Sequence, residues 1–239
     1  MPKHVKAALF DLDGVLTSTA LQHRTAWKSV FDDFLRGSDG AEFVPFSDAD
    51  YLNHVDGRPR SDGVREFLAS RDIHLPEGGA DDVDADTVHG IGNRKNRLLL
   101  ELIDREGVTM YPSSVPYLTA VRDAGIAIGV VTSSANGASV LDVAELSGFV
   151  DARIDGVVIA ERGIRGKPAP DSFLAGAAEL GVDPGDAAVF EDAIAGVAAG
   201  RAGKFGYVVG IDRNDRARDM YEAGADIVVE DLAELEKGR

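Results

Sequence analysis

Short apolar runs alternate with stretches of helical periodicity along most of the chain. The apolar runs are four to six residues long and predict buried strands; they cover Val5–Phe10, Ile126–Val131, Ala187–Phe190, Tyr207–Ile211 and Asp226–Val229. The intervening stretches carry apolar residues three and four positions apart and predict helices; they cover Val115–Ala124, Ser139–Leu146, Asp171–Leu180, Ala193–Ala202 and Arg213–Ala223. Strand alternating with helix is typical of an α/β fold with a doubly wound, Rossmann-like parallel sheet, which we therefore predict.

Residues 19–104 break this alternation. No run there predicts a strand, whereas three amphipathic helices are predicted, at Leu21–Leu35, Arg60–Ser70 and Arg94–Glu106. Two predicted loops separate these helices, at Gly37–Ser47 and Pro76–Asp86. We therefore predict an α/β core domain made of residues 1–18 and 105–239, with an inserted small α-helical cap domain made of residues 19–104.

Charge and composition narrow the function classes. The 25 basic and 41 acidic residues give a net charge of −16, which disfavours nucleic acid and anionic membranes as partners. The chain has no cysteine, which excludes disulfides, thiolate zinc sites and cysteine nucleophiles. No apolar run approaches the roughly 18 residues of a membrane span, and the N-terminus lacks the pattern of a signal peptide. We expect a cytoplasmic monomer; an anionic ligand would need a divalent cation held by carboxylates.

Two aspartates follow the first predicted strand. Asp11 and Asp13 precede Gly14, at the carboxyl end of the strand, where open parallel sheets bind ligands. Alternate residues of an extended segment point the same way, so the two carboxylates can divide the work of nucleophile with metal ligand and of general acid and base. A polar turn at a strand end is the alternative interpretation.

Polar residues also follow the later strands. Thr132 and Ser133 can bind phosphate oxygens, Lys167 lies on a proline-stiffened loop, and Glu191 with Asp192 can complete an all-oxygen metal site. The alternatives are helix N-caps at Thr132, Ser133 and Asp192, and a solvated loop lysine at Lys167. Taken in order along the chain, these residues and the two aspartates form the set needed for magnesium-assisted phosphoryl transfer through an aspartyl-phosphate.

This order of motifs resembles the haloacid dehalogenase superfamily. The resemblance implies that Asp11 is the nucleophile and Asp13 the general acid and base. It implies phosphate binding by Thr132, Ser133 and Lys167. It implies Mg²⁺ binding by Asp11, Asp13 through its backbone carbonyl, Glu191 as co-ligand or close neighbour, and Asp192.

Within that superfamily, the segment after Asp13 and the helical insert resemble the β-phosphoglucomutase group. Arg60, in the sequence Gly-Arg-Pro-Arg, matches the arginine that holds the phosphate group that is not transferred. The other substrate-binding residues implied are Thr19, His23, Trp27, Lys95, Asn96, Ser134 and Asn136. Trp27 can equally anchor the cap core, and His23 can equally hold the hinge. Ser18 and Ala135 depart from the group's pattern. The resemblance therefore does not predict hinge behaviour or fine substrate selectivity, whereas the core reaction is unaffected.

The resemblance implies that the chain interconverts β-glucose 1-phosphate and glucose 6-phosphate through a bisphosphate, with Mg²⁺ as cofactor and a phosphorylated sugar as substrate. The helical insert would then be a lid that excludes water. Two alternatives stay open. One is a phosphatase of small phosphorylated sugars or metabolites, which shares every core residue. The other is a sugar-phosphate-binding module without turnover.

Overall fold

The computed structural model describes residues 1–39 and 42–235, and the chain divides into two compact units. The α/β unit comprises Met1–Ser18 and Val108–Arg239, and the helical unit comprises Thr19–Gly107. Residues 40, 41 and 236–239 lie outside the described residues, so part of the predicted loop Gly37–Ser47 and the last residues of the predicted core domain fall there. The helical unit ends at Gly107, whereas the sequence places that boundary after residue 104, because its last helix continues to Glu106.

A six-stranded sheet forms the α/β unit. Its strands are β1 Ala7–Phe10, β2 Ala127–Val131, β3 Ala152–Ile154, β4 Ala187–Glu191, β5 Tyr207–Ile211 and β6 Ile227–Val229. The spatial order is β3-β2-β1-β4-β5-β6, and every neighbouring pair is parallel, which confirms the predicted doubly wound sheet. The direction of winding reverses between β1 and β4. In open α/β sheets, ligands bind at the carboxyl ends of the strands beside such a reversal.

Helices accompany the sheet in the α/β unit and make up the helical unit. In the helical unit they are α1 Ala20–Asp39, α2 Asp48–Asp50, the π-helical turn Tyr51–Val55, α3 Arg60–Ser70 and α4 Val88–Glu106. In the α/β unit they are α5 Ser114–Asp123, α6 Gly137–Val143, α7 Gly156–Arg162, α8 Asp171–Glu179, α9 Ile194–Ala202 and α10 Ala217–Ala223. Short 3₁₀ turns lie at Ser147–Phe149, Pro184–Asp186 and Leu232–Leu235. The described part of the helical unit contains no strand, as predicted.

Several elements differ from the sequence prediction, among them α4, which begins at Val88 and not at Arg94, and α2 with the π-helical turn after it, which were not predicted. Neither β3 nor α7 was predicted, and the three residues of β3 are too few to show a period. The helix predicted from Arg213 begins only at Ala217. The Asp212 carboxylate accepts the backbone N–H groups of Asn214 and Arg216, at 3.1 and 2.9 Å, and so holds this segment in a turn. Arg213 therefore lies in the loop after β5.

Stacked aromatic rings form the centre of the helical unit. Phe31 lies 5.0 Å from Trp27 and from Phe46, and 4.3 Å from Phe67, between ring centroids. Trp27 is the only tryptophan of the chain and is 4% exposed, so its fluorescence reports on this unit. Over residues 1–39 and 42–235, no helix has both the length and the apolar character that a membrane span requires.

Candidate active site

The ends of β1 and β4 lie side by side at the winding reversal. Phe10 pairs in register with Phe190, their rings stack at 4.4 Å between centroids, and the Asp11 N–H donates to the Phe190 carbonyl at 2.9 Å. Asp11 and Glu191 therefore follow the paired phenylalanines at the same level of the sheet. Both carboxylates are buried. The alternation of apolar strand and polar end thus brings two acids of distant sequence together.

Lys167 joins these two acids. Its Nζ donates to Asp11 Oδ1 at 2.6 Å, to Glu191 Oε1 at 2.5 Å and to the Val131 carbonyl at 3.0 Å. The side chain is 1% exposed, so the interpretation as a solvated loop lysine is wrong. Burial disfavours the charged ammonium, but attraction to Asp11 and Glu191 outweighs that cost and raises the pKa of Lys167 well above its ordinary value. Lys167 is therefore a fixed buried cation.

The charge around Asp11 is unbalanced. Burial raises the pKa of the Asp11 carboxyl, the Lys167 ammonium lowers it, and the neighbouring Glu191 and Asp13 carboxylates raise it again. The result is a pKa well above the ordinary value. One ammonium does not offset the acids that surround it, so a further cation would favour the ionised form of Asp11.

Three acids form a group that could hold such a cation. Asp11, Glu191 and Asp192 each offer a carboxylate oxygen, and these oxygens lie within 4.8 Å of one another. In the part of the chain that the structure describes, no other group of histidine or acidic residues meets this criterion. An all-oxygen donor set fits a hard divalent cation. Glu191 already accepts two hydrogen bonds, from Lys167 on Oε1 and from the Ala193 N–H on Oε2 at 3.0 Å. Asp11 accepts from Lys167 on Oδ1, so its Oδ2 is better placed to ligate a cation than either oxygen of Glu191.

Glycines let the backbone approach the acids. Gly14 has φ +92°, and a Cβ at that position would collide with the Asp192 carboxylate. A Cβ at Gly196 of α9 would collide with the Glu191 carboxylate. The small residues of α9 thus let this helix pack closely on the sheet. The N-cap of α9 is Ala193, so the interpretation of Asp192 as an N-cap is wrong.

The loop after β2 meets the second aspartate. Thr132 Oγ1 donates to Asp13 Oδ2 at 3.3 Å and accepts the Ser134 N–H at 3.1 Å, and Ser134 Oγ accepts the Asn136 N–H at 3.2 Å. Asn136 is the N-cap of α6, so the interpretation of Thr132 and Ser133 as N-caps is wrong. Ser133 lies half-buried in the same loop. Hydroxyls and N–H groups thus collect beside Asp13.

A second set of predicted residues lies in the helical unit. Lys95 is 3% exposed, and its Nζ lies 3.1 Å from His23 Nδ1 and 4.9 Å from the centre of the Trp27 ring. Because an ammonium can only donate, Nδ1 of His23 accepts, which assigns the proton of the neutral ring to Nε2. Thr19 is buried, and its carbonyl accepts the His23 N–H at 3.0 Å. Trp27 itself packs in the core of this unit, as its alternative interpretation states.

Arg60 has no anionic partner in the described part of the chain. The side chain is half-buried at the start of α3, and among residues 1–39 and 42–235 it has no hydrogen bond or ion pair. Burial alone lowers the pKa of Arg60. The stem lies against Gly92 of α4, where a Cβ would come within 3.1 Å of Arg60 Cγ. Asn96 lies one turn beyond Gly92 on the same face of α4. A partly desolvated guanidinium in a chain of net charge −16 is a candidate anion site.

Comparison with known proteins agrees with the arrangement in the α/β unit. A family described as haloacid dehalogenase-like hydrolase matches residues 5–204. The chain belongs to this haloacid dehalogenase-like hydrolase family. The resemblance inferred from the four motifs is thus confirmed, and the chain is a member of an enzyme family.

Individual relatives span nearly the whole chain. A "Beta-phosphoglucomutase" of Mycobacterium tuberculosis (strain CDC 1551 / Oshkosh) is 53% identical over 243 residues, covering 98% of this chain and 93% of the relative. A "Validoxylamine A 7'-phosphate phosphatase" of Streptomyces hygroscopicus subsp. limoneus is 29% identical, covering 96% and 95%. The crystal structure of a β-phosphoglucomutase from Clostridium difficile superimposes with a TM-score of 0.77 and 25% identity, covering 97% and 93%. Mutases and phosphatases both occur among the relatives.

Sequence reasoning missed two contributors to these arrangements. The Val131 carbonyl is the third acceptor of Lys167, and a backbone group leaves no mark in the sequence. Gly92 leaves room for the Arg60 stem. The predicted helix began at Arg94, so Gly92 lay outside it and its place in the first turns of α4 was not predicted.

Proposed function

We propose that this haloacid dehalogenase-like enzyme is a magnesium-dependent β-phosphoglucomutase, which interconverts β-glucose 1-phosphate and glucose 6-phosphate through a bisphosphate. The observation that carries the proposal is Arg60, a half-buried guanidinium without an anionic partner in the described chain, in addition to the buried cation Lys167. A bisphosphate has two phosphate groups, and one cation for each is what a mutase requires. The 53% identity to a β-phosphoglucomutase supports the same conclusion.

Asp11 is proposed as the nucleophile. Its carboxylate oxygen attacks the phosphorus of the bisphosphate and forms an aspartyl-phosphate, while the P–O bond to the sugar breaks and leaves a sugar monophosphate. The aspartyl-phosphate then gives its phosphoryl group to the 6-hydroxyl of β-glucose 1-phosphate, which frees Asp11 and forms the bisphosphate. The bisphosphate returns its 1-phosphoryl group to Asp11 and leaves as glucose 6-phosphate. Lys167 offsets the charge of the phosphoryl oxygens that would repel the attacking carboxylate, with one of its three hydrogen bonds shared with an incoming oxygen. Glu191 holds Lys167 in place.

Asp13 is proposed as the general acid and base. It protonates the leaving sugar oxygen in one half-reaction and removes the proton from the attacking hydroxyl in the other. Thr132 has one hydroxyl proton, which it donates to the Asp13 carboxylate here and to a phosphoryl oxygen when the substrate is bound; Ser133 is proposed to donate to phosphoryl oxygens as well. The carboxylates of Asp11 and Asp192, with the backbone carbonyl of Asp13, would hold Mg²⁺, which when bound neutralises charge on the phosphoryl group.

Arg60 is proposed to bind the phosphate group that is not transferred. Polar residues of each unit are proposed to contact the sugar. They are Thr19, His23, Lys95 and Asn96 of the helical unit, and Ser134 and Asn136 in the loop after β2. Trp27 contributes through Lys95, because its own ring is packed in the helical core. Lys95 fixes the tautomer of His23, so that the proton lies on Nε2.

An isomerisation assay tests the proposal. The purified protein is incubated with β-glucose 1-phosphate, Mg²⁺ and a trace of glucose 1,6-bisphosphate, and glucose 6-phosphate and inorganic phosphate are measured together. We expect glucose 6-phosphate to form without a matching release of inorganic phosphate. Release of inorganic phosphate alone, or no turnover at all, would refute the mutase.

A phosphatase is the second candidate. One relative favours it, because a protein that is 29% identical over nearly the whole chain is named as a validoxylamine A 7'-phosphate phosphatase. The core residues are the same for both reactions, since hydrolysis of the aspartyl-phosphate needs only water in place of a sugar hydroxyl. In the assay above, a phosphatase releases inorganic phosphate from β-glucose 1-phosphate or from a panel of sugar phosphates, and the bisphosphate does not stimulate it.

A further inference from the structure

Arg213 contacts three separate segments of the α/β unit. Its Nε donates to the Gly14 carbonyl at 2.9 Å, and its Nη1 donates to the Glu230 carbonyl at 2.6 Å. The guanidinium carbon lies 3.7 Å from the centre of the Tyr111 ring. One planar group thus fastens the loop after β1 to the end of β6 and to the segment that precedes α5.

The Arg213 side chain reaches Gly14 past the end of β4. In the sheet, β4 lies between β1 and β5, so a side chain from the loop after β5 passes the end of β4 to reach the loop after β1. The end of β4 carries Glu191 and Asp192. Arg213 therefore reaches the loop after β1 from the β5 side of the sheet, whereas Thr132 reaches Asp13 from the end of β2, on the other side of β1.

Gly14 is fixed on two sides. Its carbonyl accepts from Arg213, and its Cα approaches the Asp192 carboxylate so closely that a side chain could not fit. Its own N–H donates to the Thr17 carbonyl at 2.7 Å and closes the turn. Because Gly14 directly follows Asp13, a shift of this turn moves the Asp13 carbonyl and carboxylate relative to Asp192.

The chemistry of the side chain suits this task. A guanidinium is planar, donates along two directions at once and stacks on an aromatic face, whereas an ammonium is a point charge that cannot do all three. Arg218, on the next helix, is the opposite case: it is 89% exposed and pairs only with Glu222, at 2.8 Å.

We propose that Arg213 is a positioning residue for phosphoryl transfer, which holds the Asp13–Gly14 turn in register with Asp192. This inference rests on the proposed function, in which Asp13 is the general acid and base and Asp192 a metal ligand. Arg213 acts through the turn and touches neither the sugar nor the phosphoryl group.

Two substitutions test the proposal, Arg213→Lys and Arg213→Met, with Arg218→Met as the matched control. We expect kcat to fall by about 10- to 100-fold in both Arg213 variants, as for other residues that orient metal ligands, while the KM for β-glucose 1-phosphate is unchanged. Calorimetric titration of the protein with Mg²⁺ alone should show an affinity weaker by about tenfold in both variants. The control should match the wild type in all three quantities.

Several results would overturn the proposal. If Arg213→Lys keeps the wild-type kcat and Mg²⁺ affinity, charge and not the planar fork is what matters. If the variants only melt at a lower temperature, with kcat and Mg²⁺ affinity intact well below melting, Arg213 is merely structural. If Arg213→Met does not fold, Arg213→Lys decides alone. If the wild type does not isomerise glucose phosphates, the proposed function fails, and the Mg²⁺ titration still tests Arg213 by itself.

Discussion

Lys167 shows what a residue's type reveals and what it does not. Lys167 precedes two prolines and follows an acidic and a hydroxyl-bearing strand end along the chain, and with the family resemblance this order predicted a phosphate-binding cation. The sequence did not show that its ammonium would spend all three N–H groups on Asp11, Glu191 and the Val131 carbonyl. Those partners depend on strand register, which is a property of the folded sheet.

Arg60 leads to a prediction at the same scale. Arg60→Ala removes the cation proposed to bind the second phosphate, so we expect kcat/KM for isomerisation to fall by about 100-fold, since charge-assisted hydrogen bonds to phosphate are each worth roughly 1.5–3 kcal/mol. The loss should be measured with the coupled glucose 6-phosphate assay. Arg97→Ala, which removes an exposed arginine from α4, is the control and should leave kcat/KM unchanged.

The outcome for Arg60→Ala separates the two candidate functions. A phosphatase acting on monophosphates needs no second anchor, so its rate of phosphate release should survive the substitution. An unchanged kcat/KM for isomerisation would contradict the proposal that Arg60 binds the second phosphate.

At the scale of elements, periodicity predicted the long strands and helices, and it failed where elements are short or where side chains interrupt them. β5 and α3 lie at their predicted bounds, Tyr207–Ile211 and Arg60–Ser70. β3 has only three residues, and a period cannot be read from three positions. The start predicted for α10 at Arg213 was wrong, because the Asp212 carboxylate accepts two backbone N–H groups and holds a turn there, so that the helix begins at Ala217.

The short helix α2 allows a prediction of pH dependence. Asp50 Oδ2 accepts from the Ser47 N–H at 2.8 Å and from Arg71 at 2.9 Å, in a capping box. Burial raises the pKa of Asp50. The hydrogen bonds from the Ser47 hydroxyl and N–H and the Arg71 guanidinium lower it by more, so the pKa lies below its ordinary value. A lowered folded-state pKa stabilises the protein above the unfolded pKa of about 3.9, and this contribution is lost as the pH falls through the folded value.

The corresponding experiment compares the wild type with Asp50→Asn. At pH 7 we expect the variant to be less stable by about 1 kcal/mol, the usual contribution of a helix cap, and the difference should shrink as the pH is lowered below about 3.9. Urea unfolding followed by Trp27 fluorescence measures the helical unit directly. Asp84→Asn, in the exposed acidic loop, controls for the loss of a surface carboxylate. A difference that grows with falling pH would contradict the assignment.

At the scale of the whole molecule, the alternation of strands and helices predicted the sheet class, and the break in that alternation predicted a helical insertion. What could not be predicted was which strand ends become neighbours, because strand order in a parallel sheet depends on the crossovers and not on local pattern. The order β3-β2-β1-β4-β5-β6 places the ends of β1 and β4 together, and this is what collects Asp11, Glu191 and Asp192.

The acid group predicts that metal binding stabilises the α/β unit. Mg²⁺ at about a hundred times its dissociation constant should raise the free energy of unfolding of that unit by roughly 2.7 kcal/mol, and chelation should reverse the gain. Circular dichroism follows this unfolding, with Trp27 fluorescence as a separate signal from the helical unit. Asp192→Ala should abolish the gain, and Asp183→Ala, which removes an exposed acid, should keep it. Equal stability with and without Mg²⁺ would argue against a metal site here.

The central claim is that Asp11 carries the phosphoryl group, and trapping that group tests it most directly. The protein is mixed with glucose 1,6-bisphosphate and Mg²⁺, quenched, and reduced with borohydride, which converts an aspartyl-phosphate to homoserine, and the peptides are then identified by mass spectrometry. We expect homoserine at position 11, dependent on the bisphosphate and absent from Asp11→Asn. Homoserine at another aspartate, or none while the protein turns over, would contradict it.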